Sequence, residues 1–120
     1  MNSSVRADNE LKVDRVAKFA IGDIVHHRIF SFRGVIYDVD PTFNNTEEWW
    51  LSIPEQVRPA KDQPYYHLLA ENESTTYTAY VSEQNLVLDE SGEPCRHPLV
   101  GEIFDGPSEC RYTMRVRTSN

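Results

Sequence analysis

The sequence predicts a mainly β fold, a small antiparallel β-barrel or curled sheet of about five strands. Short runs rich in β-branched and aromatic residues recur over about 65 residues, and they are bounded by glycine, asparagine or proline. No βαβ pattern separates them, which favours antiparallel pairing. The chain of 120 residues has the length of one domain and suffices to bury its own core.

The first two strands are predicted at Ile24–Arg28 and Gly34–Asp40. The turn signal Gly22-Asp23 precedes the first, and Pro41 ends the second because proline cannot donate to a ladder. The second strand alternates. Its two predicted faces carry Val35, Tyr37 and Val39 on one side, and Ile36, Asp38 and Asp40 on the other.

The long segment from Thr42 to Lys61 is too polar and too rich in proline for a strand. It predicts a loop that contains one short helix. Asn45 or Thr46 is a suitable N-cap, and acidic residues follow in the first turn. Pro54 limits the helix at its other end.

A hairpin is predicted next, formed by Tyr65–Glu71 and Thr75–Ser82 around the polar turn Asn72-Glu73-Ser74. Leu86–Leu88 is a short last strand.

The tail has an apolar cluster and then an alternating stretch, so it packs on the barrel, adds an edge strand or binds another subunit. The predicted organisation is a flexible extension (1–17), a β domain (18–104) and a C-terminal tail (105–120).

The net charge of −7 argues against a protein whose whole surface grips phosphates. The charge is uneven, with six acids and no base from Glu71 to Glu93, and four arginines against three acids from Pro94 to Asn120. Contact with DNA therefore requires a local patch. The candidate residues for such contact are His26, His27, Arg28, Arg33, Arg111, Arg115 and Arg117.

No pattern in the sequence indicates an enzyme, a metal site or a cofactor. His26 and His27 are neighbours on a strand and point to opposite faces, so they do not chelate one ion. Asp38 and Asp40 share a strand face, where two acids can share a proton or simply mark the solvated side. The two cysteines do not make a disulfide framework.

The adjacent Trp49 and Trp50 lie about 100° apart on a helix and therefore cannot both face one core. One is expected to pack inward, and the other is either packed as well or an exposed anchor for a partner. Protein-interaction candidates are Trp49, Trp50, Leu99, Ile103 and Phe104. No run has the length of a signal peptide or membrane span, so a cytoplasmic protein without membrane contact is expected.

Several blocks resemble the bacterial heat-shock protein HspQ family, also called the hemimethylated-DNA-binding protein family. They are KFAIGDIVHHRIFSFRGVIYDVDP, PYYHLLAE, TTYTAYVSEQNL and HPLVGEIFDG, and the resemblance covers residues 18–104. It implies an SH3-like β-barrel without catalytic activity or cofactor, which forms trimers. This chain departs from the family in its extension ahead of Phe19 and in its tail, which ends RYTMRVRTSN.

Two functions follow from the resemblance. The first is a cytoplasmic stress protein that modulates degradation by the Lon protease, including the turnover of the replication initiator DnaA. The acidic surface, the tryptophan pair and the apolar tail cluster favour such a protein-interaction role. The alternative is a module that recognises hemimethylated DNA through a barrel face or the tail arginines.

Overall fold

The computed structural model describes residues 16–116, and the predicted mainly β fold is confirmed. Most of the predicted extension (1–17), and also Arg117, lie outside the described residues. Two 3-10 turns occur at Glu55–Val57 and Glu83–Asn85. The strands and helices are β1 (Ile24–His27), β2 (Arg33–Asp40), α1 (Glu47–Leu51), β3 (Tyr65–Glu71), β4 (Thr76–Ser82), β5 (Leu86–Leu88), α2 (Val100–Ile103), β6 (Phe104–Ser108) and β7 (Arg111–Met114).

The first five strands form one antiparallel sheet in the order β4-β3-β2-β1-β5. Its two edge strands, β4 and β5, are joined only by the turn Glu83–Asn85. In a flat sheet these edges would lie about 19 Å apart. The chain from Ser82 to Leu86 spans about 14 Å at full extension. The sheet must therefore curl until its two edges approach each other at this end.

The curled sheet encloses an inner cluster of buried residues, to which all five strands contribute. Phe19, ahead of β1, packs against this cluster, and its ring meets that of buried Tyr66 edge-on. The inner cluster consists of Val25, Ile36, Tyr66, Leu68, Ala70, Val81 and Leu86.

A β-bulge changes the predicted alternation of β2. Ile36 pairs with Leu68, but Asp38 already pairs with His67, so Tyr37 is the extra residue. An extra residue moves the following side chains to the opposite face. Val39 consequently packs on the inner cluster with Ile36, and the expectation that Val39 shares a face with Val35 is wrong.

The outer face of the sheet is covered by the C-terminal segment. The outer cluster combines sheet residues with the tail and consists of Ile24, Val35, Leu69, Cys95, Val100, Phe104 and Tyr112. Strands β6 and β7 form a hairpin of their own, and the N–H of Tyr112 donates to the carbonyl of Gly22 at 2.8 Å. Of the three alternatives for the tail, packing on the sheet is the one observed through Met114.

This close approach explains why glycine is needed at position 22. Gly22 has φ of 97°, and a Cβ atom there would lie 2.2 Å from the carbonyl oxygen of Tyr112.

Both thiols are free, with Cys95 in the outer cluster and Cys110 exposed. None of the helices between residues 16 and 116 is long and apolar enough to cross a membrane.

We expect the packing of the tail to be essential for stability. Phe104 is 2% exposed, so Phe104→Ala should lower the free energy of unfolding by about 3–5 kcal/mol. Leu99→Ala is the matched control, because Leu99 is 44% exposed and should cost no more than about 0.5 kcal/mol. Urea denaturation measures both, and equal costs would contradict the observed packing.

Candidate functional site

Arg33, a candidate for DNA contact, is committed to internal ion pairs. Its Nε donates to Asp89 at 2.8 Å and its Nη1 to Glu71 at 2.6 Å. Two further guanidinium hydrogens are donated to the carbonyls of Glu93 and Pro94. Burial alone would lower the pKa of Arg33, but the bonds to the two carboxylates raise it. Arg33 therefore ties β2 to the segment after β5.

The acids around Arg33 are also satisfied. Burial would raise the pKa of Asp89, but hydrogen bonds from Ser91 and from Arg33 lower it to about 2. Glu71 pairs with Arg96 at 3.0 Å as well as with Arg33. This ion-pair network is defined by Arg33, Glu71, Asp89 and Arg96, and its charges balance.

The two histidines occupy different surroundings. His27 is buried, and its Nδ1 accepts hydrogen bonds from the backbone N–H groups of Ile29 and Phe30. Burial lowers the pKa of His27, and Arg28 lowers it further, so the imidazole is neutral and shapes the β1–β2 turn. His26 is exposed and lies 3.8 Å from Asp89.

The other arginines predicted to contact DNA, as far as the structure describes them, do not form one basic patch. Arg28 follows β1 and donates to the carbonyl of Gln84 at 2.9 Å. Arg111 pairs with Asp23, just before β1, at 3.1 Å. Arg28 and Arg111 thus lie at opposite ends of the strand. Arg115 is held by Asp105 at 3.0 Å and by the carbonyl of Gly101.

Of the two alternatives for the tryptophan pair, the structure shows neither side chain fully exposed, because both are half-buried. Helix α1 starts at the predicted N-cap Thr46 but buries no residue completely. Trp50 donates its Nε1 hydrogen to the carbonyl of Pro59, and the cations of Arg58 and Lys61 lie over its ring.

Trp49 instead contributes to an aromatic cluster beside the sheet. Its ring stacks on Phe43 and meets Tyr80 edge-on. Asp40 accepts the hydroxyl hydrogen of Tyr80 at 2.8 Å, which fixes the ring. Burial raises the pKa of Tyr80 and the carboxylate adds to the effect, so the hydroxyl stays protonated.

A cavity of about 200 Å³ opens between this cluster and the β1–β2 turn. We call it the aromatic groove. Ile29 and Phe30 stand at its rim and are 61% and 54% exposed. Its only titratable imidazole, His27, is neutral. The aromatic residues of its lining are His27, Phe30, Phe32, Trp49, Tyr65 and Tyr80.

The other tail candidates are divided by the packing of the C-terminal segment. Leu99 is exposed, Ile103 is half-buried against the outer cluster, and Phe104 lies within that cluster and not on the surface.

Sequence reasoning missed Phe30, Phe32 and Tyr80 as groove residues. Their aromatic character was the only signal available before the fold placed them together.

Asp38, Asp40 and His67 provide the donor set for a metal among the described residues, with their ligand atoms within 4.8 Å of one another. In the observed arrangement Asp40 Oδ2 already accepts from Tyr80, and it lies 3.0 Å from His67 Nε2. An ion would have to replace the His67 contact. The bulge at Tyr37 is what brings Asp38 opposite His67.

The chain belongs to the family described as hemimethylated DNA-binding protein YccV like, because that family's model matches residues 17–111. Parts of F-box only protein 21 are also similar. The protein of Homo sapiens and that of Pongo abelii are 32% identical over 87 residues, and that of Mus musculus is 31% identical over the same length. These matches cover 72% of this chain but only 13–14% of the relatives. No solved structure matches the chain significantly.

The ion-pair network generates a stability prediction. Arg33→Met leaves Glu71 and Asp89 without their shared cation and should cost about 3–5 kcal/mol of unfolding free energy. Arg111→Met removes an exposed pair and should cost at most about 1 kcal/mol. Chemical denaturation at neutral pH compares them, and similar losses in both variants would contradict a structural role for Arg33.

Asp89 also predicts a dependence on pH. Its pKa is about 2 in the folded chain and 3.8 in the reference state, so its stabilisation is complete above about pH 5. Most of that stabilisation should be lost as the pH falls from about 5 to about 2. Asp89→Asn should remove this part of the pH dependence. Unfolding curves of both proteins over this range test it, and parallel profiles would contradict the assignment.

Proposed function

We propose that this chain is a non-enzymatic protein-binding module that modulates proteolytic quality control under stress. The observation that carries the proposal is the aromatic groove, with Ile29 and Phe30 exposed at its rim. Aromatic residues are enriched at the centres of protein interfaces and dominate their binding energy. By the resemblance to the HspQ family, the protease is Lon, and the turnover of the replication initiator DnaA is affected.

The distribution of charge supports a protein partner over a nucleic acid. The chain carries a net charge of −7, and Arg33, Arg111 and Arg115 are each paired with carboxylates. Phosphate binding would require these cations to exchange internal partners for DNA. The similarity to a short part of F-box only protein 21 supports a module that works beside other domains.

Hemimethylated DNA is the second candidate ligand, and the description of the family favours it. Two exposed basic groups lie at the ion-pair network: Arg96, which belongs to it, and His26, which lies 3.8 Å from Asp89. Any affinity that depends on phosphates should fall steeply with salt, because binding releases counterions.

We also propose a homo-oligomer, with a trimer implied by the resemblance. The short edge strand β5 exposes Val87 and Leu88, and a second copy would cover them. Light scattering at micromolar concentration should give a multiple of the chain mass of 13.9 kDa. A monomer mass would contradict this proposal.

The proposed function is tested by reconstituted degradation of an unfolded model substrate by purified Lon. The chain should change the rate of degradation. Phe30→Ala should raise the concentration of the chain that gives half of its effect on the degradation rate by about thirtyfold. This change corresponds to about 2 kcal/mol of binding free energy, as expected for an interface anchor. Leu51→Ala is the control, because Leu51 is 52% exposed but lies outside the lining of the groove.

Binding of hemimethylated and fully methylated duplexes is measured on the same variants in a salt series. Phe30→Ala should leave any DNA affinity unchanged, whereas the double variant Arg111→Ala, Arg115→Ala should reduce it and its salt dependence. If the arginine variant alone loses activity in cells under heat stress, DNA binding is the function and the proposal of a protein-binding module is wrong.

A further inference from the structure

The hydrogen bonds at the two ends of β4 show which of its backbone groups point away from β3. Asn72 donates its N–H to the carbonyl of Thr75, and Glu83 donates its N–H to the carbonyl of Pro64. The ladder between β3 and β4 has no bulge, so bonded and outward-facing residues alternate between these two points. The backbone N–H and C=O groups of Thr76, Thr78 and Tyr80 therefore point away from β3.

This edge is free of the devices that usually prevent a strand from pairing. The seven residues of β4, TYTAYVS, include no charge and no proline. Within residues 16–116, no backbone group forms a hydrogen bond with the outward groups of Thr78 and Tyr80. Natural proteins protect long edge strands with lysine, proline or bulges. The opposite edge, β5, is only three residues long and is a poorer template.

The aromatic groove adjoins the same edge, because the last four residues of β4, Ala79 to Ser82, contribute to its lining. A cavity of about 150 Å³ holds a benzene ring, and the groove measures about 200 Å³. It therefore accommodates one aromatic side chain. Ser82 is 2% exposed, and its hydroxyl has no hydrogen-bond partner among the described residues.

We propose that β4 binds an extended segment of a non-native protein by strand addition, with one aromatic side chain of that segment inserted in the aromatic groove. Main-chain hydrogen bonds to Thr78 and Tyr80 supply affinity, and the groove selects the side chain. The inference rests on the proposed function and names the ligand class for the same site.

The chemistry of the edge selects this occupant. Neither β4 nor the groove offers an ionised side chain, so the matching segment is uncharged over the paired length. Extended, uncharged segments with an alternating aromatic side chain are buried in folded proteins and become accessible when a protein unfolds. Such a segment is what a quality-control factor has to recognise.

The probe is a capped seven-residue peptide of alternating threonine and valine with a central phenylalanine, carrying one flanking lysine at each end for solubility. A second peptide has the same sequence with N-methyl groups on alternate amides, which removes donors to β4 without changing the side chains. A third replaces phenylalanine by alanine. Fluorescence anisotropy measures binding, and amide hydrogen exchange follows Thr78 and Tyr80.

The parent peptide should bind and slow the exchange of both amides. N-methylation should weaken binding by about tenfold or more, since at least two hydrogen bonds are lost. The alanine peptide should also bind more weakly. Thr78→Lys and Thr78→Pro should block binding, whereas Thr113→Lys, a matched change on exposed β7, should not.

Equal binding of the methylated and parent peptides, or of Thr78→Lys and the unmodified chain, overturns the proposal. The proposal is also overturned if the unmodified chain does not bind the peptide and Thr78→Lys dissociates the oligomer. In that case the β4 edge pairs with a second copy of the chain. If the peptide does not bind but the chain still alters degradation by Lon, this inference fails and the proposed function stands. Peptide binding without any effect on degradation supports strand addition at β4 and contradicts the proposed function.

Discussion

The short turn Glu83–Asn85 is the constraint on which the rest of the structure depends, because it joins the two edges of the sheet. The turn is held from both sides. Buried Gln63, ahead of β3, exchanges hydrogen bonds with the backbone and side chain of Gln84. On the β1 side, the N–H of Arg28 donates to the carbonyl of Asn85 at 2.8 Å. Glu83 accepts the hydroxyl of buried Tyr66 at 2.7 Å, which couples the turn to the inner cluster. Loss of these contacts would release the edges and open the core.

The same constraint creates the aromatic groove. Since the turn brings the end of β4 beside β1, Ser82 and Asn85 meet the β1–β2 turn, where His27 holds Ile29 and Phe30 through its Nδ1. A neutral imidazole is required there, because a protonated ring could not accept these two backbone hydrogens. Burial supplies that neutrality. The groove is thus a product of sheet curvature and not of any local motif.

Local sequence signals predicted most of the fold, and long-range contacts account for what they missed. The β3–β4 hairpin was predictable because Asn72 caps its own turn, accepting hydrogen bonds from Ser74 and Thr75. The N-cap at Thr46 was equally local. By contrast, Arg33 finds Glu71 and Asp89 at separations of 38 and 56 residues. No spacing rule links such positions, so a structural arginine resembled a candidate for DNA contact. The bulge at Tyr37 likewise depends on the partner strand, and it shifted the face of Val39.

The placement of charge explains how an acidic chain can carry an uncharged edge strand. The ion-pair network uses Arg33 and Arg96 to neutralise two buried carboxylates, so these four charges stabilise the fold and contribute no net field. The remaining acidic excess repels other polyanions. An uncharged edge strand would otherwise favour self-association. Net negative charge elsewhere on the molecule weakens pairing between the β4 edges of two copies over distances of about a Debye length, and it does not repel a neutral segment. An acidic composition is therefore compatible with an unprotected edge strand, because charge repulsion offsets the tendency of that edge to pair with a second copy.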